Sequence, residues 1–133
     1  MRNLKWMDQK VLIIDDDRII RKITSQIVKI GKLSISDPIL FTNGLEALNY
    51  LSRKENKQSE FILFLDINMP VMDGWTFLEH LEREKLTQGK VIYLITSSVN
   101  EEDYRKAYAN ENIQNIITKP LTVQKIKELF VVS

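Results

Sequence analysis

Cysteine is absent from the 133 residues, which excludes a disulfide scaffold and a thiolate metal site. Any metal chemistry must rest on oxygen ligands. An excess of charge of one sign is missing as well. Nineteen Lys and Arg against 18 Asp and Glu give a formal net charge of +1, and the basic residues are dispersed, so there is no electrostatic case for direct contact with nucleic acid or an anionic membrane. No apolar stretch approaches the about 18 residues of a membrane span, and Met1-Arg2-Asn3-Leu4-Lys5-Trp6 lacks the apolar core of a signal peptide. A cytoplasmic protein is the resulting expectation. Repeats, low-complexity tracts and interdomain linkers are missing too, and the length fits one domain over 1–133 without an output domain.

What is present is a set of short apolar runs, each ending in chemistry. Val11-Leu12-Ile13-Ile14 ends in Asp15-Asp16-Asp17, and Ile62-Leu63-Phe64-Leu65 ends in Asp66, followed by Ile67-Asn68-Met69-Pro70-Val71-Met72-Asp73-Gly74. A third run ends in Thr96, and a fourth, Ile113 to Thr118, ends in Lys119-Pro120. If the runs are parallel strands, carboxylates, a hydroxyl and an ammonium meet at one sheet edge. Such a set suits a divalent metal together with a phosphoryl group, since Mg²⁺ takes oxygen ligands and shares its shell with waters and phosphate.

Between the strands lie segments with helical spacing. Strand one is expected at Lys10 to Ile14, and helix one at Arg18 to about Ile30, with Ile19, Ile20, Ile23, Ile27, Val28 and Ile30 as apolar positions and Gly31 as its end. Ile39-Leu40-Phe41 is a short strand, placed outermost by Pro38. Thr42-Asn43-Gly44 is a turn into a helix marked by Leu45, Ala47, Leu48 and Leu51. Strand three is Phe61 to Leu65, helix three Trp75 to about Glu84, strand four Val91 to Ile95, helix four Glu101 to about Asn110, strand five Ile113 to Ile117, and the last helix Val123 to Phe130. Five alternations of strand and helix predict an α/β fold with a parallel sheet covered on both faces. Ligands of such sheets bind outside the carboxyl ends of the strands where strand order reverses, and an order of 2-1-3-4-5 sets Asp66 beside the acidic cluster.

Taken together and in order, Asp15-Asp16, Asp66 with Asn68-Met69-Pro70 and Asp73-Gly74, Thr96-Ser97 and Lys119-Pro120 resemble the CheY-like receiver domain of two-component response regulators, over essentially the whole chain. The resemblance implies a flavodoxin-like, doubly wound (βα)5 sandwich in which Asp66 is the phosphoacceptor. It implies that Asp16, Asp66 and the backbone carbonyl of Asn68 hold Mg²⁺, with Asp15 acting through metal-bound water. Lys119 would neutralise the phosphoryl group from the other side, and the hydroxyl of Thr96 would turn to a phosphoryl oxygen. Asn68 and Ser98 would flank the site and set the lifetime of the signal, beside Ser97. Pro120 would follow a cis bond. The implied donor is a histidine kinase or histidine phosphotransfer protein, and the output is a protein target met through helix four, strand five and helix five. On this reading the chain is a stand-alone phosphoacceptor that assists its own phosphorylation and dephosphorylation, and not an enzyme.

Two positions depart from the family pattern. Ile116 stands where an aromatic residue is common, so the switch is expected in the loop from Ser97 to Asn100 and the start of helix four, with Tyr104 the nearest aromatic reporter. Asn110-Glu111-Asn112 replaces a small-residue and glycine loop. Other residues have plainer readings. Asp17 is expected to cap helix one and Asp73, beside Gly74, helix three. His80 should lie on the polar side of helix three, while Tyr104, Ala107 and Tyr108 should be core contacts of helix four. Trp75 is open between core packing and a reporter of the site. Two alternative functions remain: a haloacid-dehalogenase-like phosphatase using Asp15 and Asp17, and a receiver-like scaffold that works without phosphorylation. The first leaves Asp66 unexplained and has Ile19 where that family wants Thr or Val; the second need not keep the acidic pair, acceptor, Thr and Lys together.

Overall fold

The computed structural model describes residues 10–31, 36–97 and 100–129. Strands β1 (Lys10–Ile14), β2 (Ile39–Phe41), β3 (Phe61–Asp66), β4 (Lys90–Thr96) and β5 (Ile113–Thr118) alternate with helices α1 (Arg18–Ile30), α2 (Gly44–Leu51), α3 (Gly74–Arg83), α4 (Glu101–Ala109) and α5 (Val123–Leu129). All the strand pairings are parallel, in the order β2-β1-β3-β4-β5. Phe130, the expected end of the last helix, lies outside the described residues.

Alternation along each central strand divides the core in two. Leu12, Ile14, Leu63, Leu65, Ile92 and Leu94 face α2, α3 and α4, where Leu51, Phe77 and Leu81 cover them. Val11, Ile13, Ile62, Phe64, Tyr93 and Ile95 face the opposite way, toward Val28 of α1 and Ile126 of α5. Both sets are apolar because both faces are covered, which is why β1 and β3 read as continuous apolar runs. The edges differ. Leu40 of β2 and Gln114 and Asn115 of β5 are exposed, so at the edges the uninterrupted apolar reading fails.

The helices are positioned by local signals. Asn43 caps α2 through Glu46 N–H, and Glu46 Oε1 reaches back to the N–H and hydroxyl of Thr42, a capping box shifted by one residue. Gly31 ends α1 as expected, but its φ of −73° lies in the ordinary helical region. Its lack of a side chain matters for space, since a Cβ there would lie 2.9 Å from Ile126 Cγ2 where α1 packs on α5. On α1 the apolar spacing overstates burial. Thr24 and Val28 are its buried residues, whereas Ile19 and Ile30 are 69% and 63% exposed. Helix α4 departs further, because of the three expected core residues Ala107 alone is buried and Tyr104 and Tyr108 stack on each other at the surface.

One buried charge has no counterpart in the sequence reading. Lys90 begins β4, and its Nζ donates to the carbonyls of Asn56, Lys57 and Gln88 at 3.2, 2.7 and 3.2 Å. Burial pulls this ammonium below its ordinary pKa. Three carbonyl partners supply what water would otherwise give.

Candidate functional site

The register brings the strand ends level. Ile14 pairs with Leu65, Asp66 with Ile95, and Thr96 with Thr118. The residues after Ile14 therefore emerge beside Asp66. Asp15 is buried and held from both sides, its Oδ1 accepting the Asp17 N–H at 2.9 Å and its carbonyl accepting Arg21 Nη1 at 2.7 Å. Asp16 is exposed. Asp17 turns to the helix instead, its Oδ1 accepting the N–H groups of Ile19 and Ile20 at 2.9 and 3.1 Å. It is an N-cap, as its place at a helix start suggests.

Asp66 ends β3 and is only 5% exposed, more enclosed than its place at a strand end suggests. Its Oδ1 lies 3.4 Å from the donating Asn68 N–H, a long contact, while Asn68 itself is exposed. Beyond it the chain folds back at once. Gly74 N–H bonds the Ile67 carbonyl at 2.8 Å, and a Cβ on Gly74 would lie 2.8 Å from the Asp66 carbonyl oxygen. Glycine alone permits that approach. Asp73 caps α3 through Thr76 N–H at 2.8 Å. In the same loop Val71 has φ of +70° and is 94% exposed, an unusual setting for a β-branched residue.

The cation comes from the other side. Lys119 Nζ lies 2.9 Å from Asp15 Oδ2 and 3.6 Å from Asp66 Oδ1. Its backbone N–H bonds the Thr96 carbonyl at 2.8 Å, the bond to Pro120 is cis, and Lys125 Nζ donates to the carbonyls of Thr118 and Pro120. Thr96 is fully buried at the end of β4 and Ser97 is exposed. Ser98 lies outside the described residues.

The cluster is short of positive charge. Asp15, Asp16 and Asp66 each offer an oxygen, all within 4.8 Å of one another, and Lys119 is the ammonium bonded into the group. Three carboxylates and one ammonium leave two negative charges. Burial, and next Asp15, push the Asp66 carboxyl up to about 6, against the opposing pull of Lys119 and the Asn68 N–H, with Asp16 adding a smaller upward push. Burial works to lower the Lys119 pKa, but its hydrogen bond and charge contact with Asp15, together with Asp66, hold it above the ordinary lysine value. An oxygen-only, doubly negative pocket fits a hard divalent cation.

Asp15, Asp16, Asp66 and Lys119 thus gather as the sequence suggests, with Thr96 at the adjoining strand end. Arg21, which fixes the Asp15 carbonyl, was not legible, because nothing in helical spacing says which arginine turns back to its own N-terminal loop. His80 carries no part of this site; it is half-buried on α3, 3.9 Å from Glu84.

The family model of the response regulator receiver domain matches residues 11–130. Two-component response regulator ARR22 of Arabidopsis thaliana is 32% identical over 117 residues, covering 87% of this chain and 77% of that protein. A chemotaxis protein CheY homolog of Campylobacter jejuni is 28% identical over 119 residues, with coverages of 90% and 87%. A two-component response regulator from Cytophaga hutchinsonii, known from its crystal structure, superposes with a TM-score of 0.79 at 26% identity, over 92% of this chain and 93% of that one.

Proposed function

Because this chain belongs to the response regulator receiver domain family, we propose that it accepts a phosphoryl group on Asp66 and signals through the surface change that follows. The observation that carries the reading is the placement of Lys119 between Asp15 and Asp66, in a carboxylate cluster that still lacks two positive charges. The donor is a phosphohistidine on a histidine kinase or phosphotransfer protein, or a small acyl phosphate. The setting is the cytoplasm; among the described residues no helix is long and apolar enough to cross a membrane.

In the step itself an ionised Asp66 oxygen attacks phosphorus, the bond from phosphorus to the donor nitrogen or oxygen breaks, and the leaving group keeps that electron pair. An aspartyl phosphate results. Asp16, Asp66 and the Asn68 carbonyl would hold Mg²⁺, with Asp15 reaching it through water. Bound there, Mg²⁺ supplies the positive charge that the transferring oxygens need. Lys119 exchanges its contact with Asp66 for one with a phosphoryl oxygen and keeps Asp15 as its anchor. Thr96 donates its hydroxyl to another phosphoryl oxygen, and that bond, present only after transfer, shifts the conformational equilibrium. Asn68, exposed beside the acceptor, and Ser98 set how readily water reaches the phosphoryl group. Ile19 in the first turn of α1 and Val71 in the loop after β3, both exposed apolar residues, offer a phosphodonor protein apolar contact beside the acceptor.

On this reading the protein is a phosphoacceptor and not a phosphatase. Asp17, which an Asp-x-Asp phosphatase would need as its acid, is committed to capping α1. Intact mass after incubation with acetyl phosphate tests the proposal. One phosphoryl group should appear with Mg²⁺ and none with EDTA. Inorganic phosphate released without any labelled protein would favour the phosphatase, and no labelling with no release would favour the phosphorylation-independent scaffold.

A further inference from the structure

Helix α4 is held in place more by polar contacts than by apolar burial. Its one buried side chain is Ala107, a small contribution when burying a whole Leu or Phe is worth about 1.5–3 kcal/mol. Tyr104 and Tyr108 stack on each other, with ring centroids 6.1 Å apart, and do not enter the core. What fixes the helix against α3 is a contact at each end. At its start, Trp75 Nε1 donates to Asp103 Oδ1 at 3.2 Å, and Lys106 Nζ, one turn further on, lies 5.3 Å from the centre of the Trp75 ring. At its far end, Glu82 Oε1 accepts from Asn110 Nδ2 and Asn112 Nδ2, each at 3.2 Å.

The two ends are not equivalent. Asn110 and Asn112 belong to a tight turn, with Asn112 N–H on Asn110 Oδ1 at 2.9 Å and Ile113 N–H on the Asn110 carbonyl at 3.1 Å. That turn leads straight into β5. The far end is therefore bound both to α3 and to the sheet. The start depends on Trp75, which directly follows Gly74, the residue whose N–H is bonded to the Ile67 carbonyl behind the acceptor.

Building on the phosphoacceptor reading, we propose that the Trp75–Asp103 contact is a latch that holds the start of α4 in its unphosphorylated position, and that the Glu82–Asn110–Asn112 contact is the pivot. The latch lies on the acceptor side of α3 and ties the first turn of that helix, directly after the β3–α3 loop, to α4. It supplies a coupling route where Ile116, half-buried against the core, has no ring to swing. A contact made in one state alone shifts the equilibrium toward that state and weakens any ligand of the other by the same factor.

The test is a titration of the full chain with beryllofluoride and Mg²⁺, read by tryptophan emission in a Trp6→Phe background and by NMR at Asp66. Saturable binding with a change in Trp75 emission is expected. Asp103→Ala should bind beryllofluoride about 3–10-fold tighter, the range set by losing one partly buried hydrogen bond of ordinary net strength, while Asp103→Asn, which keeps a carbonyl acceptor, should stay near the parent. Trp75→Phe, followed by NMR, should match Asp103→Ala, and the double variant should add little to either. Binding at Asp66 with Trp75 emission unchanged, or with equal affinity in Asp103→Ala, would overturn the latch while leaving the phosphoacceptor intact. Failure of beryllofluoride to bind at Asp66 at all would overturn both.

Discussion

Asp66 carries two opposed demands, to be buried among acids and to be ionised when it attacks. In the metal-free protein its carboxyl is pushed up from an ordinary 3.8 to about 6. Between those values the folded chain holds a proton that the unfolded chain has lost, so stability contributed by this group falls as pH rises through the window and is gone above about 6. Asp66→Asn should therefore be more stable than the wild type in EDTA at pH 7.5, by about 1–3 kcal/mol, and the gap should close near pH 4. Mg²⁺ should stabilise the wild type and leave the Asn variant almost unmoved. Thermal melts of both proteins in EDTA at pH 7.5, in EDTA near pH 4 and with Mg²⁺ check the sign. The neighbours divide by role: Asp16→Ala should abolish Mg²⁺-dependent phosphorylation, whereas Asp17→Ala should spare it and lose about 1 kcal/mol of stability as a lost helix cap. Equal loss of phosphorylation in both variants would contradict the assignment. Lys119→Ala should retain Mg²⁺ binding and lose most phosphorylation or its structural consequence; the reverse pattern in Mg²⁺ titrations and labelling would reassign the ammonium.

At the level of elements, local signals and tertiary position carry different information. Asp17, Asn43 and Asp73 were legible as caps or turn residues because capping depends on a few neighbouring positions. Burial of helix faces was less so. The isoleucine spacing of α1 identifies a helix, yet Ile19 and Ile30 lie beyond the stripe that the narrow sheet can cover, and α4 leaves both tyrosines outside. Lys90 was missed for the same reason: an ammonium next to an apolar run reads as a strand border, and two of its three carbonyls come from the α2–β3 loop, more than thirty residues away. Lys90→Met keeps the stem and removes three donors, so it should cost about 1–3 kcal/mol without altering phosphorylation. Val71 marks the opposite case, an exposed side chain at φ of +70°. Val71→Asn should gain about 1 kcal/mol by relieving that backbone, measurable by urea denaturation.

For the molecule as a whole, the parallel sheet converts sequence distance into proximity. Acidic, hydroxyl and ammonium residues spread from Asp15 to Lys119 meet because each stands at the carboxyl end of a strand and every strand runs the same way. The order β2-β1-β3-β4-β5 and the gathering of Asp15, Asp16, Asp66 and Lys119 were legible for that reason. The contacts between α3 and α4 were not, since Trp75 and Asp103 share no periodic or motif relation and meet only after the helices pack. The central claim is that Asp66, and no other group of the cluster, forms the covalent bond to phosphorus. Borohydride reduction of the phosphorylated protein, followed by peptide mass mapping, tests it most directly, because an aspartyl phosphate is reduced to homoserine at the residue that carried it. The account predicts homoserine at position 66 alone, appearing only after incubation with donor and Mg²⁺; homoserine at position 15 or 16, or a phosphoryl group retained on His80 with position 66 unmodified, would contradict it.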